Sequence, residues 1–320
     1  MERVGWIDFL RGISMIAILV FHTEVYYKEY DVTPYYIYVT NAITLFYFIS
    51  GYLFYHEQGF NVKYKLRSIV KTLLVPYFIF TTLIAIPKVL ARGEAIDGMA
   101  IVIKILSGQA SWFIVALMVA EVLFSISLYI SKGKNCILST FGLLCLITYT
   151  LIPFNQHNYW QWQDALLAVP FLYLGYLYHQ YQKYINAFNR PLYSLLLLLI
   201  LIIIKIYEYD ADYPMNNIAI TNYPLFLADT LLFILLITEI INYLPSLKVV
   251  EWIGKHCIVY YFLAGGCPLI VSMILRKIGC PYQGQFFHFL LAVILVYILS
   301  TCLTWFIYQY VPFITGRSKS

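Results

Sequence analysis

The stretch Gly5-Trp6-Ile7-Asp8-Phe9-Leu10-Arg11-Gly12-Ile13-Ser14-Met15-Ile16-Ala17-Ile18-Leu19-Val20-Phe21-His22 decides how this chain is read. Continued to residue 27, it has the roughly 20 mostly apolar residues that a membrane-crossing helix needs. It nevertheless carries Asp8, Arg11 and His22. An ionisable side chain costs roughly 2.5–3.5 kcal/mol at a helix centre on insertion scales, so each needs a reason to be there. Helical spacing supplies one. At about 100° per residue, Arg11 and His22 fall within roughly 20° of one another and Asp8 within roughly 40° of His22, so the three share a stripe. Glu24, about 200° from His22, faces elsewhere. Along the axis Arg11 and His22 are about 16 Å apart. The apolar run is followed by His22-Thr23-Glu24 and not by a small-residue cleavage site, so the segment reads as a retained helix.

The composition agrees. Of the 320 residues, 62% are hydrophobic and 12% charged, against roughly 45–50% and about 25% in soluble domains. The mean hydropathy is +0.75. A soluble globular enzyme, a disordered chain and a small disulfide scaffold are excluded, which leaves an integral membrane protein. Six cysteines (136, 145, 257, 267, 280 and 302) show no CxxC spacing and read as small packing residues. No metal site is expected from them.

Ten stretches have the length and apolarity of spans: 5–27, 36–56, 68–90, 112–131, 136–152, 164–181, 192–208, 222–243, 256–275 and 286–311. The expected fold is an all-α, polytopic helical bundle of about ten transmembrane helices, one domain over residues 1–320 with no separate soluble domain. Ten spans put both termini on one side. The termini and even-numbered loops then hold most of the 21 Lys and Arg residues, so both termini are expected to be cytoplasmic. Residues 91–111 form the longest loop, and Gly93, Gly98 and Gly108 suit a partly re-entrant path.

On the α1 stripe the residue types fit a polar wall, with Arg11 binding an anion and His22 accepting a proton, a role suited to a side chain whose reference pKa is about 6.5. They also fit, and on the residues alone fit better, an Asp8–Arg11 i,i+3 pair that anchors the helix end, with His22 a satisfied polar residue. A second cluster is Lys63-Tyr64-Lys65-Leu66-Arg67-Ser68-Ile69-Val70-Lys71. Its four cations suit phosphate groups or anionic lipid at a cytoplasmic edge. Glu121, Asp164, Asp229 and Glu239 are further buried ionisable candidates. His56, His157, His179 and His256 read as solvated interface residues. Ser50 and Gly51 read as close helix packing through small residues, because Ser50 has no base nearby in sequence. The chain has no GxSxG, P-loop, HExxH or GxGxxG.

Taken together, these residues resemble the membrane-bound acyltransferase 3 family. That family opens with an Asp followed by an Arg and a His with ten residues between them, as Asp8, Arg11 and His22 stand here. Phe46-Tyr47-Phe48-Ile49-Ser50-Gly51-Tyr52-Leu53-Phe54 is similar to the family's second helix. The run from Arg67 and Lys71 to Pro76-Tyr77 is similar to its basic third helix, and Trp112-Phe113 to the start of the next span. Phe171-Leu172-Tyr173-Leu174-Gly175-Tyr176 and Trp252-Ile253-Gly254-Lys255-His256 fit later segments. Two departures stand out. An Arg-x-Arg of many members reads Lys65-Leu66-Arg67 here. Leu117 and Met118 stand where members with a periplasmic hydrolase domain carry paired Glu. The chain is closer to the short, fucose 4-O-acetylase-like members.

The resemblance implies a multi-pass protein of the bacterial cytoplasmic membrane. It implies transfer of an acyl group, usually acetyl from acetyl-CoA, to a hydroxyl of a sugar in a surface glycan or lipid-linked precursor. His22 would then be the base, with Asp8 holding Arg11. Arg11, Lys65, Arg67 and Lys71 would bind the acyl-CoA. The expected partners are that carbohydrate acceptor, the donor and membrane lipid, with no nucleic acid and no metal. The competing class is a proton-coupled transporter or exporter of a glycan precursor, for which Glu121, Asp229 and Glu239 would line the path.

Overall fold

The computed structural model describes residues 5–28, 35–57, 59–91, 93, 95–153, 158–185, 191–210, 220, 222–243 and 247–316. Their regular structure is helical throughout. In chain order the helices are α1 (Gly5–Lys28), α2 (Tyr35–Tyr52), α3 (Val62–Ile69), α4 (Val75–Ala91), α5 (Gly98–Leu106), α6 (Trp112–Ser131), α7 (Asn135–Leu151), α8 (Trp162–Ile185), α9 (Pro191–Asp210), α10 (Tyr223–Ile240), α11 (Lys248–Lys255), α12 (Cys257–Leu263), α13 (Cys267–Lys277) and α14 (Phe286–Tyr310). They fall into two compact units, one of α1, α4, α5 and α11–α14, the other of α2, α3 and α6–α10.

Six helical stretches among the described residues are long and apolar enough to cross a membrane, and seven if the α12–α13 pair is one span. They make this a multi-pass membrane protein. The sequence criteria counted three more, the tyrosine-rich 36–56 and 164–181 and the short 136–152, whose helix α7 has 17 residues. The corresponding α2 and α8 have the length of spans but are not among the six. Where apolar faces are exposed they are large. On α9, Leu192, Leu195, Leu196, Leu199, Ile202, Ile203 and Ile206 are all exposed, a surface suited to lipid chains and not to water.

In the first unit α1 is the organising helix, packed against α11, α12, α13 and α14. Its contact with α11 is backbone on backbone. A Cβ at Gly12 would collide with the Val250 carbonyl, and a Cβ at Gly254 with the Asp8 carbonyl. The amphipathic α11 lies in none of the expected spans, because eight residues with Lys248, Glu251 and Lys255 lack a span's length and apolarity. The expected span 256–275 is broken. α12 and α13 meet at a 46° bend, where Gly265 and Gly266 weaken the helix and Pro268 brings no N–H to it. Within the expected loop 91–111 lies the short helix α5. Asp97 caps it by accepting from the N–H groups of Met99 and Ala100, and the Tyr77 hydroxyl of α4 donates to the Ile105 carbonyl (2.7 Å). Phe80 of α4 stacks on Phe262 of α12, with centroids 4.8 Å apart.

The second unit is built round α2 and α8, whose seam repeats the same device. Gly51 lies against the Leu172 carbonyl and Gly175 against the Phe48 carbonyl, each with no room for a Cβ. The small-residue reading of Gly51 is therefore right, and Gly175 is its partner. α6 and α7 pack on α8, α3 on α6, and α10 on α9 and α2. α3 begins with Asn61 accepting from the Tyr64 N–H (3.0 Å), a standard cap. A π-helical turn, Val70–Leu74, joins α3 to α4, so this helix starts before the expected residue 68 and continues through the basic cluster. Of the cysteines, Cys145 and Cys267 are buried as packing residues, whereas Cys136 and Cys302 are exposed.

Candidate active site

α1 is one uninterrupted helix from Gly5 to Lys28, so Asp8, Arg11 and His22 do share its stripe. Asp8 is buried, while Arg11 and His22 are half-buried. Two apolar side chains on the stripe lie between Arg11 and His22. Met15 is 0% exposed and Ile18 3%. The stripe is therefore polar at its two ends and closed in the middle, not an open polar wall along its length. The Tyr297 hydroxyl of α14 donates to the Ile16 carbonyl (2.8 Å) and fixes this middle section.

The His22 end is held from α13 and beyond. The Tyr26 carbonyl accepts from the Ser272 hydroxyl (2.7 Å) and the Arg276 guanidinium (2.8 Å). The Tyr27 hydroxyl donates to the Cys280 carbonyl (2.8 Å). The His22 ring lies 6.4 Å from that of Tyr26, at 24° to it. Glu24, off the stripe as the spacing requires, pairs with Lys28 at 3.2 Å with both side chains buried. Lys28 also lies 4.0 Å from the Phe289 ring centroid. Arg276, one turn from His22 by way of Tyr26, is a cation the sequence reading passed over. Nothing in the spacing of α13 against α1 signals it.

The basic cluster divides in two. Lys63, Arg67 and Lys71 are exposed. Lys65 turns inward, with Nζ 3.0 Å from Glu121 Oε2 and 4.0 Å above the centroid of the Phe54 ring. The other carboxylate oxygen, Glu121 Oε1, accepts from the Ser50 hydroxyl. Tertiary packing thus gives Ser50 the carboxylate neighbour that its local sequence lacks, and commits Lys65 to an ion pair.

A third buried group lies in the second unit. Lys205 Nζ reaches Asp229 Oδ2 at 2.7 Å and Glu208 Oε2 at 3.0 Å. Of the acidic candidates, Asp229 belongs here, Glu121 pairs with Lys65, Asp164 accepts from Asn158 (3.0 Å), and Glu239 is buried on α10. The histidines differ from the solvated reading. His256 is buried, hydrogen-bonded to the Trp252 carbonyl (2.7 Å) and edge-on to Tyr308. His179 is bonded to the Tyr52 carbonyl (2.7 Å) and stacked on the Tyr52 ring. His56 is exposed, as expected. His157, Asp212, Arg3, Arg92, Arg190, Arg317 and Lys319 lie outside the described residues.

Chemically, the α1 stripe offers an imidazole and a guanidinium, both partly accessible, on one rigid element. The comparisons give this arrangement a class. The chain matches the acyltransferase domain model of the acyltransferase 3 family over residues 4–309. The protein therefore belongs to that family of membrane acyltransferases. Searches of curated proteins and of solved structures give no match.

Proposed function

We propose that the protein moves an acetyl or other short acyl group from acyl-CoA to a hydroxyl of a sugar in a cell-surface glycan or lipid-linked precursor. The observation that carries this reading is the placing of Asp8, Arg11 and His22 along one face of an unbroken α1, in a chain of an acyltransferase family. His22 takes the proton of the acceptor hydroxyl. The resulting oxygen nucleophile attacks the thioester carbonyl, the carbon–sulfur bond breaks, and the thiolate recovers the proton from His22. A positioned general base contributes about 10²–10⁴-fold. Arg11 orients the donor, and Asp8 holds Arg11. Arg67 and Lys71, both exposed, contact the donor's phosphates, while Lys65 stays on Glu121. The acyl arm passes from Arg11 to His22, so Met15 and Ile18 must move aside for it.

About ten spans with both termini cytoplasmic, in a bacterial inner membrane, suit a donor made in the cytoplasm and an acceptor in the envelope. The test is acyl-CoA consumption by purified protein in nanodiscs, with a pool of envelope glycan precursors as acceptor, for wild type, His22→Ala and Arg11→Ala. Retained turnover in His22→Ala would remove the base from the proposal.

One observation favours the transporter reading, the buried Lys205–Asp229–Glu208 group. Such groups mark ion or proton paths in membrane proteins. Proton-driven flux of a glycan precursor in proteoliposomes, lost in Asp229→Asn, would support it.

A further inference from the structure

α3 is amphipathic in a way that sorts its own cations. Val62, Lys65, Leu66 and Ile69 follow the i, i+3, i+4, i+7 spacing of a buried face, and each is half-buried or buried. Lys63 and Arg67, four residues apart, lie about 40° from one another and about 200° from Lys65. Both are exposed. The two charges sit about 6 Å apart along the axis. Lys65, by contrast, is spent on Glu121, and Glu121 has each oxygen occupied, one by Lys65 and one by Ser50. A carboxylate held at both oxygens is a fixed point, so the pair pins the register and rotation of α3 on α6. α3 is the leading end of the helical stretch Val62–Pro87, and a single side-chain cap holds its start.

We propose that Lys63 and Arg67, and not Lys65, form the phosphate-binding face of α3, and that Glu121, clamped by Ser50, acts through Lys65 as the positioning residue of that face. The inference rests on the acyl-CoA reading above. It adds Lys63 to the donor site, with Lys65 kept on Glu121. The chemistry recognised is a phosphate ester. Two sources supply one, the nucleotide portion of the donor and a phospholipid headgroup, and the experiment separates them.

The experiment measures binding of coenzyme A to purified protein in nanodiscs of purely zwitterionic lipid and of one-third anionic lipid, across a salt series. The proteins are wild type, Lys63→Gln, Arg67→Gln, Lys65→Met, Glu121→Gln and the double variant Lys65→Met with Glu121→Leu. Thermal midpoints are read on the same samples. The proposal expects Lys63→Gln and Arg67→Gln each to weaken coenzyme A binding about tenfold and to flatten its salt dependence, with unchanged midpoints, in both lipids. Glu121→Gln weakens binding and lowers the midpoint. The double variant, which replaces the pair with apolar groups, recovers the midpoint and most of the affinity. Full affinity in Lys63→Gln, or a double variant that refolds but stays as weak as Lys63→Gln, would overturn the assignment. An effect of Lys63→Gln confined to anionic nanodiscs would assign the face to lipid and overturn it as well. If wild type binds no coenzyme A in either lipid, the donor reading itself fails.

Discussion

Gly254 of α11 sits directly on the backbone carbonyl of Asp8, with no room for a side chain between them. The contact ties the start of the α1 stripe to a short helix from the far end of the chain. It is reciprocated by Gly12 on the Val250 carbonyl. Gly254→Ala and Gly12→Ala are each expected to push α11 off α1. Overpacking of a fitted interior costs roughly 1–3 kcal/mol, occasionally more, and here the obstructing atoms are backbone, which cannot change rotamer. The thermal midpoint in detergent is expected to fall for both, and donor binding at Arg11 to fall with it. Gly98→Ala, at a position with nothing within 4 Å of the added carbon, is the milder control.

Lys65 and Glu121 make a separate prediction. Removing one member of a buried ion pair leaves an uncompensated charge and costs about 3–5 kcal/mol, while replacing both by apolar groups is often neutral. Lys65→Met alone is expected to destabilise strongly and Lys65→Met with Glu121→Leu little. Equal destabilisation by the single and double variants in a denaturation series would mean that the pair adds nothing beyond its packing volume.

Within the second unit, one cation serves two carboxylates, Lys205 between Asp229 and Glu208. Lys205→Met leaves both acids buried without a counter-charge, so it is expected to lower the thermal midpoint more than Asp229→Asn, which leaves one pair intact. The two midpoints, measured side by side, check the order. The reverse order would show that Lys205 is not the charge that balances the group.

Much of this was legible from residue order, and the illegible parts share a cause. α1, α6, α10 and α14 follow from apolar length alone, because a span must satisfy its backbone internally over about 20 residues. The stripe of Asp8, Arg11 and His22 follows from helical period. The start of α3 was hidden because its basic residues interrupt the apolar run, although the 62, 65, 66, 69 spacing does mark Lys65 as inward. α5 and α11 were missed because nine or eight residues carry too little pattern to separate from loop. The pairing of Lys65 with Glu121, the Arg276 contact at Tyr26 and the burial of Met15 and Ile18 depend on which helices become neighbours, and no local spacing encodes that.

The closure between Arg11 and His22 gives a fourth prediction. If Met15 must move for the acyl arm, Met15→Ala is expected to ease passage of bulkier acyl groups. Relative turnover with butyryl-CoA over acetyl-CoA should rise several-fold, while a purely structural Met15 would lower stability and leave the ratio unchanged. Because Met15 is fully buried, a stability loss of about 2–5 kcal/mol is expected in either case, and only the ratio discriminates.

The most direct test of the central claim is acyl transfer by the His22→Ala protein in nanodiscs, measured as acyl-CoA consumed with acceptor present and compared with wild type at matched thermal stability. The account predicts a loss of at least about 10²-fold with coenzyme A binding retained. A His22→Ala protein that folds, binds coenzyme A and turns over at the wild-type rate would contradict it.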